Sequence, residues 1–586
     1  MRVIMNSFAA IALLLVSAFA NAQATQDRPN ILLVLLDDVG FMDFGAYGSD
    51  TATPNIDALG QSGAMFTRYY TSPLCAPSRA SLMTGQDNHV VGVGTLAEVL
   101  TPEMRNSPAY SMTWEDSQKT IATELKSAGY QTFVTGKWGI GGIGANLPHR
   151  FGFDRSWVLD ATGASNYAQK PYLPMYKEAE WYEDGERVSL PGDFYSSRNI
   201  VDKMIDYLDE SDADKPFFSY LSFMAVHIPV QVPEEYVEKY NGVFDRGWDV
   251  MREERLQRAI ELGLVPESTT LAGRAYNGQI WGGLDAQQQA YSARTMQVNA
   301  GMMEAADFHF GRLLDYLDAK GELDNTLIIV TSDNGPEGGS LGSGGAQQLW
   351  MAIEGWDQDF DNLGQPGSMA AIGQNWASVS AAPFHLFKFN ASEGGTRVPM
   401  VASGPGVESL GFVNGRSQVA DIAPTILEAA GVEFSADQFY GRSLMPVLSG
   451  AATEIYGERD SFGFEVSGTA ALYRGNWKLT KTPEPYGDGE WHLYDLAVDS
   501  GETTDLGQAR PELLREMLME YDSYGDKVGL YDLEPGYSAQ RQLAINLIQK
   551  TAINYWYLPT SFFLLLAVLL YGLVRLAITL GKRLRA

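Results

Sequence analysis

The chain has a single cysteine, Cys75, among its 586 residues, and this excludes an internal disulfide framework. In an exported chain, an odd cysteine indicates an intermolecular bridge or a thiol kept for chemistry. Histidine is also scarce, and the six histidines form no HExxH motif and no tight cluster, which disfavours a zinc site. Bases are outnumbered by acids, 42 to 72, and the formal charge of −30 excludes nucleic acid as a partner.

Hydrophobic segments at both chain ends predict export and membrane attachment. Residues 1–24 have an apolar stretch followed by small residues, which predicts a cleaved signal peptide; the alternative is an uncleaved anchor. Residues 558–580 are long enough to span a bilayer and are flanked by aromatic residues and a basic tail; the alternative is a buried helix. Because positive residues stay cytoplasmic, we expect a single-pass protein of the cytoplasmic membrane, with residues 25–554 facing the periplasm or exterior.

Short apolar runs alternate with helical patterns through the first 450 residues. This alternation predicts an α/β fold with helices flanking a mixed, mostly parallel sheet, whose strands would be 31–36, 131–135, 217–226, 326–331 and 399–402. Residues 335–380 are rich in Gly and Gln and predict a long loop. A hairpin pattern at 471–480 predicts a small antiparallel subdomain near the C-terminus.

These patterns divide the chain into six predicted segments. They are a signal peptide (1–24), a main α/β domain (25–450), a small α+β subdomain (451–535), a juxtamembrane linker (536–557), a transmembrane helix (558–580) and a cytoplasmic basic tail (581–586). Ligands of open α/β sheets bind beyond the carboxyl ends of the strands. Polar residues that follow the apolar runs are therefore the candidates for a functional site.

Cys75 lies at the predicted start of a helix. Pro77 suits the first turn of this helix and Gly85 suits its end. Cys75 and Arg79 would then lie where free N–H groups, the helix dipole and a guanidinium attract an anion. The alternative is that Cys75 is a small buried hydrophobe.

Carboxylates and an amide follow two of the apolar runs. Asp37 and Asp38 come directly after the first run, and Asp333 and Asn334 follow the run at 326–331. Four oxygen ligands of this kind suit a hard cation, either Ca²⁺ or Mg²⁺. The alternative is that these residues only cap strand ends, which Asp and Asn often do.

Three further polar residues occupy positions that favour a role in the same site. Lys137 and His227 come at the ends of apolar runs, and Lys388 precedes the segment EGGTRVP. Each has a simpler alternative, because a lone lysine is usually a solvated charge and a lone histidine is often structural.

The segment around Cys75 resembles the signature of the sulfatase family. Cys75-Ala-Pro-Ser-Arg79, followed by Thr84-Gly85, is similar to C-x-P-S-R with a downstream T-G. Other similar segments follow the family order: LLDDVG, TPNIDALGQSGAMFTRYY, GYQTFVTGKW, VTSDNG and EGGTRVP. The resemblance covers about residues 28–525, is especially close to bacterial arylsulfatases, and implies the alkaline-phosphatase-like fold with a catalytic main domain.

The resemblance implies hydrolysis of organic sulfate esters by a modified cysteine. In this family the cysteine is oxidised to formylglycine by dedicated machinery, and its hydrated aldehyde attacks sulfur and displaces the alcohol. A Ca²⁺ ion, with Mg²⁺ as the alternative, would be held by an oxygen of modified Cys75 and by Asp37, Asp38, Asp333 and Asn334.

The resemblance also implies roles for the charged residues. Arg79 would fix the hydrate, and Lys137 and Lys388 would neutralise charge on the sulfate and the leaving oxygen. His227 would hydrogen-bond the sulfate or protonate the leaving group.

One position departs from the family pattern G-K-W-H. Gly139 stands where the family has a histidine, the usual base for the release of sulfate. The missing base leaves three functions open. They are a sulfatase, a phosphate or phosphonate ester hydrolase that uses the same site, and a binding protein with impaired turnover. A two-zinc phosphatase would need more ligating histidines than these segments offer.

Overall fold

The computed structural model describes residues 28–339, 345–534 and 536–555. The predicted signal peptide at 1–24, the predicted transmembrane helix at 558–580 and the basic tail at 581–586 lie outside these residues. All site residues predicted from the sequence lie within them.

The described part of the chain contains fifteen strands. The strands are β1 (Asn30–Leu36), β2 (Ala64–Tyr70), β3 (Gln131–Lys137), β4 (Arg155–Leu159), β5 (Trp181–Glu183), β6 (Glu186–Val188), β7 (Phe217–Ser222), β8 (Thr326–Ser332), β9 (Arg397–Ser403), β10 (Gly411–Val413), β11 (Ser417–Gln418), β12 (Ser461–Val466), β13 (Thr469–Arg474), β14 (Trp477–Lys481) and β15 (Trp491–Asp495).

Helices of very different lengths connect these strands. They are α1 (Pro54–Ser62), α2 (Cys75–Thr84), α3 (Ile121–Ser127), α4 (Ser196–Asp209), α5 (Glu234–Val237), α6 (Gly247–Glu261), α7 (Ala286–Lys320), α8 (Gly345–Ile353), α9 (Gly373–Ser380), α10 (Glu393–Thr396), α11 (Ile422–Ala429), α12 (Met445–Leu448), α13 (Pro511–Val528) and α14 (Ala539–Asn554).

A large mixed sheet forms the centre of the molecule. Its strand order is β10-β2-β9-β8-β1-β7-β3-β4-β5-β6, with β11 also paired to β2. The central strands β8, β1, β7, β3 and β4 are parallel to one another, whereas β9 runs antiparallel to both β8 and β2. Because β9 runs in the opposite direction, the chain that leads into it arrives at the edge where the parallel strands end.

The central strands of the sheet are buried on both faces, as the continuous apolar runs predict. In β1, the side chains of Ile31, Leu33 and Leu35 pack into one hydrophobic cluster, and those of the residues between them pack into a second. Strands covered on both sides have no polar face, so their sequences show no alternation. This arrangement leaves only the strand ends free to present polar residues.

A second, antiparallel sheet contains β12, β13, β14 and β15 in sequential order. Helix α13 covers it, with Met517 packed against Leu472, Leu479 and Leu493. This sheet and the mixed sheet agree with the α/β architecture and with the hairpin predicted near residue 475.

The predicted fold class is corrected in its last element: the described residues do not support a transmembrane helix. Over the described ranges, no helix is both long and apolar enough to cross a bilayer. The longest helix, α7, has 35 residues but carries charged side chains such as Arg294, Glu304 and Arg312. Helix α14 has 16 residues, fewer than the roughly 20 that a span needs, and contains Lys550. The single-pass membrane location is therefore not retained.

Two other boundaries differ from the prediction. The stretch 335–380, predicted as a loop, contains helices α8 and α9, whose Gly and Gln content hides the helical period. Strand β7 ends at Ser222, earlier than the apolar run, because the residues up to Val226 turn over the end of the sheet with Phe223, Met224 and Val226 still buried.

Buried ion pairs connect the second sheet to segments outside it. Lys478 of β14 lies 3.0 Å from a carboxylate oxygen of Glu393 and 2.7 Å from one of Glu502.

A second buried cluster surrounds His89. Both of its ring nitrogens contact carboxylates, Asp87 at 3.1 Å and Glu465 of β12 at 3.0 Å. These contacts require both nitrogens of His89 to carry protons if both are to donate.

We expect His89 to make the stability of the protein depend on pH. Burial lowers the pKa of His89, but the hydrogen bonds to Asp87 and Glu465 outweigh burial and raise the pKa from 6.5 to about 9. Its contribution, at most about 3 kcal/mol, is therefore complete below pH 6.5 and is lost as the pH rises through about 9. In thermal unfolding, His89→Gln should be much less stable than the parent at pH 6, and the difference should shrink by pH 9.5.

The exposed His149 offers a matched control for this measurement. His149→Gln should keep the parent's dependence of stability on pH, since it leaves His89 and its two carboxylate partners in place. A gap between His89→Gln and the parent that stays constant from pH 6 to 9.5 would exclude a charged His89 in the folded protein.

Candidate functional site

The candidate residues meet at the carboxyl edge of the mixed sheet. Leu36 of β1 is in register with Ser332 of β8, so Asp37 and Asp333 leave adjacent strands side by side. Lys137 ends β3 on the other side of β7. His227 follows β7, and Lys388 lies in the chain that leads to the antiparallel strand β9. The structure thus brings together every site residue that was predicted from the sequence.

Two pairs of residues form the acidic part of the site: Asp37 and Asp38 directly after β1, and Asp333 and Asn334 directly after β8. The backbone N–H of Asp38 donates to Asp333 Oδ1 at 3.2 Å, and Asn334 Nδ2 donates to Asp38 Oδ1 at 2.7 Å. Asp38 has a left-handed backbone (φ 65°), which costs a non-glycine residue about 1–2 kcal/mol and often occurs at functional sites. This turn lets consecutive residues both contribute carboxylates to the same site.

The acidic part of the site has oxygen atoms whose bonding capacity is unused. Asp37 Oδ1 and Asn334 Oδ1 are buried and accept no hydrogen bond from the described residues. Burial raises the pKa of Asp38 and of Asp333, because Lys388 and Arg79 offset only part of the desolvation. A divalent cation would satisfy both free oxygens and favour the ionised carboxylates, so this donor set fits Ca²⁺ or Mg²⁺.

Cys75 begins helix α2 and faces this acidic cluster. Its Sγ atom and carboxylate oxygens of Asp37 and Asp333 all lie within 4.8 Å of one another. The helix ends at Gly85 (φ 65°), as its sequence predicts. The side chain is 1 % exposed, and burial raises the pKa of the thiol above its usual value. A neutral thiol is a poor nucleophile, so the unmodified side chain is not set up for attack.

Arg79 lies one turn further along α2 and is fully buried. Its Nε and Nη2 atoms contact Asp333 Oδ2 at 2.8 and 2.7 Å, and Nη1 donates to Ser222 Oγ at 2.7 Å. The guanidinium thus ties helix α2 to the ends of strands β8 and β7. It also lies 3.6 Å from Asp37, so carboxylates already balance much of its charge.

Two buried lysines bring positive charge to opposite sides of the carboxylates. Lys137 Nζ donates to Asp37 Oδ2, and Lys388 Nζ lies 2.8 Å from Asp38 Oδ1 and 3.2 Å from Glu337. Burial lowers the pKa of Lys388, but Asp38 and Glu337 outweigh burial and raise it well above its usual value. Lys388 therefore remains charged at neutral pH and can neutralise an anion.

His227 is neutral and presents a free ring nitrogen to the site. Burial, together with the charges of Lys137 and Lys388, lowers its pKa well below the usual range. Its Nδ1 atom lies 2.6 Å from the carbonyl oxygen of Ile228, so Nδ1 carries the proton and donates. The buried Nε2 atom has no hydrogen-bond partner among the described residues and lies 3.7 Å from Asp38 Oδ2. It is placed to accept a hydrogen bond.

Gly139 lies beside the site with space for a side chain. A Cβ atom at this position would lie 3.4 Å from both Lys137 Cε and the carbonyl oxygen of Ala161, which is close but ordinary contact. The backbone is left-handed (φ 56°), so any other residue pays some strain.

Three side chains of the site were not predicted from the sequence. They are Ser222, which accepts a hydrogen bond from Arg79; Glu337, which pairs with Lys388; and Tyr172, whose ring lies 5.2 Å from that of His227. Glu337 comes three residues after Asn334, and this proximity in VTSDNGPE is a signal that could have identified it. Ser222 and Tyr172 carry no comparable signal in the sequence.

Comparison with known proteins gives consistent results. A family model described as sulfatase matches residues 29–432. An uncharacterised sulfatase of Schizosaccharomyces pombe is 34% identical over 87% of this chain and 96% of its own. An arylsulfatase of Klebsiella aerogenes is 32% identical over 72% of this chain and 91% of its own.

A solved structure described as Ps i-CgsB in complex with k-i-k-neocarrahexaose supports the fold. It superposes with a TM-score of 0.61 at 22% identity and covers 89% of this chain and 97% of its own. At that identity the likeness shows the fold alone. The family model and the two relatives decide the classification: the chain belongs to the sulfatase family, and its enzyme class is that of the sulfuric ester hydrolases.

Proposed function

We propose that the protein hydrolyses organic sulfate esters with a formylglycine derived from Cys75 and with a bound divalent cation. The observation that supports this most directly is the position of Cys75 Sγ, within 4.8 Å of the carboxylates of Asp37 and Asp333 and at the start of helix α2. Formylglycine at position 75 would supply a hydrated aldehyde whose hydroxyl is nucleophilic toward sulfur. The thiol itself, neutral and buried, lacks that reactivity.

The charges around Cys75 favour a singly charged ester. Arg79, Lys137 and Lys388 face four carboxylates, those of Asp37, Asp38, Asp333 and Glu337. These three positive and four negative side chains leave an excess of one negative charge. A divalent cation held by Asp37, Asp38, Asp333 and Asn334 would change it into an excess of one positive charge. A sulfate monoester carries one negative charge, whereas a phosphate monoester carries nearly two at neutral pH.

The side chains have separate roles in this proposal. Arg79 and Lys137 hold the nucleophilic end in place, and Lys388 stabilises the charge that develops on the leaving oxygen. His227 binds a protonated oxygen through its free Nε2 atom. The cation, Ca²⁺ with Mg²⁺ as the alternative, would supply Lewis acidity toward a sulfate oxygen.

The test begins with the mass of the peptide that contains Cys75, from protein produced in its own host. Formylglycine should be found there, and the same preparation should hydrolyse 4-nitrophenyl sulfate at least about 100-fold faster than 4-nitrophenyl phosphate and phenylphosphonate esters. An unmodified thiol in an active preparation would exclude the proposed nucleophile. Faster turnover of the phosphate or phosphonate would assign the site to those esters, and tight sulfate binding without turnover would indicate a binding protein.

We expect Gly139→His to accelerate turnover by supplying a base at the position where the family pattern has one, beside Lys137. General-base help typically contributes about 10²- to 10⁴-fold to a step, and a gain of about tenfold in kcat would remain if another step then becomes limiting. Both this variant and Gly139→Ala should lose about 1 kcal/mol of stability because the backbone there is left-handed. Steady-state kcat and burst kinetics measure the effect.

Gly139→Ala is the matched control, since it has the same strain without an imidazole. It should not exceed the parent in kcat. If the two variants have the same kcat, the missing histidine does not limit sulfate release in this chain.

A further inference from the structure

A largely apolar pocket of about 220 Å³ adjoins the site. Lys388 lines it, and the Nζ atom of the same lysine binds Asp38. Two more wall residues, Tyr172 and Ile228, lie against His227: the tyrosine ring is 5.2 Å from the imidazole, and the isoleucine is its neighbour in the chain. An ester whose sulfate lies among the charged residues therefore has this pocket beside its leaving oxygen.

One wall of the pocket comes from helix α14, which follows the second sheet. Ala539, Gln540 and Leu543 of α14 line the pocket, and Leu543 packs against the main hydrophobic core. The helix is fixed in this position by Asn546, whose Nδ2 atom donates to the carbonyl oxygens of Glu98 and Leu100, each at 2.9 Å. A segment more than 100 residues beyond β9 thus completes a pocket beside the catalytic residues.

The chemistry of the lining favours an apolar occupant. Val99, Phe387 and Leu543 are among its walls, together with the aromatic ring of Tyr172. The charged groups that line it in the described chain already have partners: Glu98 accepts from Tyr176, and Lys388 pairs with Glu337 and Asp38. Tyr172 and Tyr486 hydrogen-bond two other polar residues of the lining, Thr162 and Gln540, so few polar groups are left to receive a sugar. Each sugar hydroxyl buried here without a partner would cost about 1–3 kcal/mol.

We infer that the pocket receives the alcohol part of the ester, that it selects a compact apolar or aromatic alcohol over a sugar, and that Leu543 of α14 sets the size it accepts. The inference rests on the proposed sulfate ester hydrolysis. An apolar cavity of about 150 Å³ accepts benzene, so about 220 Å³ has room for a single substituted ring.

Substitutions at Leu543 test this inference through selectivity. The parent should hydrolyse 4-nitrophenyl sulfate with a kcat/KM about 100-fold above that for N-acetylglucosamine 6-sulfate, because at least two sugar hydroxyls would lose their partners. Leu543→Trp should fill the pocket and leave less room for the aryl ring. KM for 4-nitrophenyl sulfate should therefore rise about tenfold or more. Leu543→Ala should raise KM for the same ester about three- to tenfold. It should also increase kcat/KM for a bulkier aryl ester, 4-methylumbelliferyl sulfate, relative to that for 4-nitrophenyl sulfate.

The exposed residue Ile548, 68% exposed on the same helix, gives the matched control. Ile548→Ala should leave KM for both aryl sulfates and the ratio between them unchanged. Equal or better turnover of the sugar sulfate, or shifts at Leu543 no larger than those at Ile548, would overturn the inference while sulfate ester hydrolysis stands.

Binding of 4-nitrophenol, measured by isothermal titration calorimetry, tests the pocket without any turnover. The parent should bind it and Leu543→Trp should bind it at least about tenfold more weakly, with the fold of both checked by circular dichroism. If no sulfate ester is hydrolysed, the proposed function fails, and the binding result alone decides on the pocket. Equal binding to both proteins would overturn the inference independently of catalysis.

Discussion

Cys75→Ala should reduce the hydrolysis of 4-nitrophenyl sulfate to background, a loss of about 10⁴-fold or more, because it removes the precursor of the nucleophile. The charged residues and the cation ligands remain, so binding of sulfate should persist with little change in affinity. The variant should also unfold within about 1 kcal/mol of the parent, since the change deletes one small atom from a buried helix start. Initial rates, sulfate titration and thermal unfolding measure these three quantities.

Ser81 lies in the same buried helix and offers a control of similar size. Ser81→Ala should keep the parent's rate within about twofold. Turnover by Cys75→Ala above one per cent of the parent, with the protein free of parent contamination by mass, would remove Cys75 from the mechanism. Loss of activity accompanied by loss of the folded state would instead assign a structural role to the thiol.

Asp333→Asn should lower the content of bound divalent cation and reduce kcat/KM about 10³-fold. The substitution preserves shape, but it removes the charge that both a cation and the guanidinium of Arg79 require. Breaking a buried ion pair costs about 3–5 kcal/mol, so the protein should also become less stable. Metal content after dialysis, measured by mass spectrometry, and the increase in Tm on addition of Ca²⁺ report on the cation directly.

A buried carboxylate outside the site separates the cation effect from general destabilisation. Asp307 is buried and accepts hydrogen bonds from Asn55 and Ile56. Asp307→Asn should lose stability but keep the metal content and the Ca²⁺-dependent rise in Tm. If Asp333→Asn retains the parent's metal content and Ca²⁺ response, Asp333 is not a ligand and acts only on Arg79.

Strand ends were the most predictable part of the site. β1 and β8 are covered on both faces, so their sequences are continuous apolar runs, and the residues directly after them had to lie at the edge of the sheet. The same reasoning located Lys137. Strand β2 was harder to predict because its Arg68 is satisfied by Asn476 and Gly475, which are far away in sequence.

Partners between distant segments could not be predicted from the sequence. Ser222 accepts from Arg79 across 143 positions, and no local pattern marks a serine as the partner of an arginine that far away. The pocket wall at Leu543 is a similar case, because α14 shows a helical sequence but nothing that identifies the surface it contacts. Sequence patterns report burial and period, whereas these contacts depend on how the finished elements pack.

The hydrogen bond between Lys388 and Asp38 joins positions 350 apart in the chain. Contacts of such sequence separation form late, because the entropy of closing the intervening loops must be overcome first. The site is therefore assembled only when the central strands and β9 are all in place. During refolding, catalytic activity and cation binding should return after the helical circular dichroism signal, so they report on completed topology rather than on secondary structure.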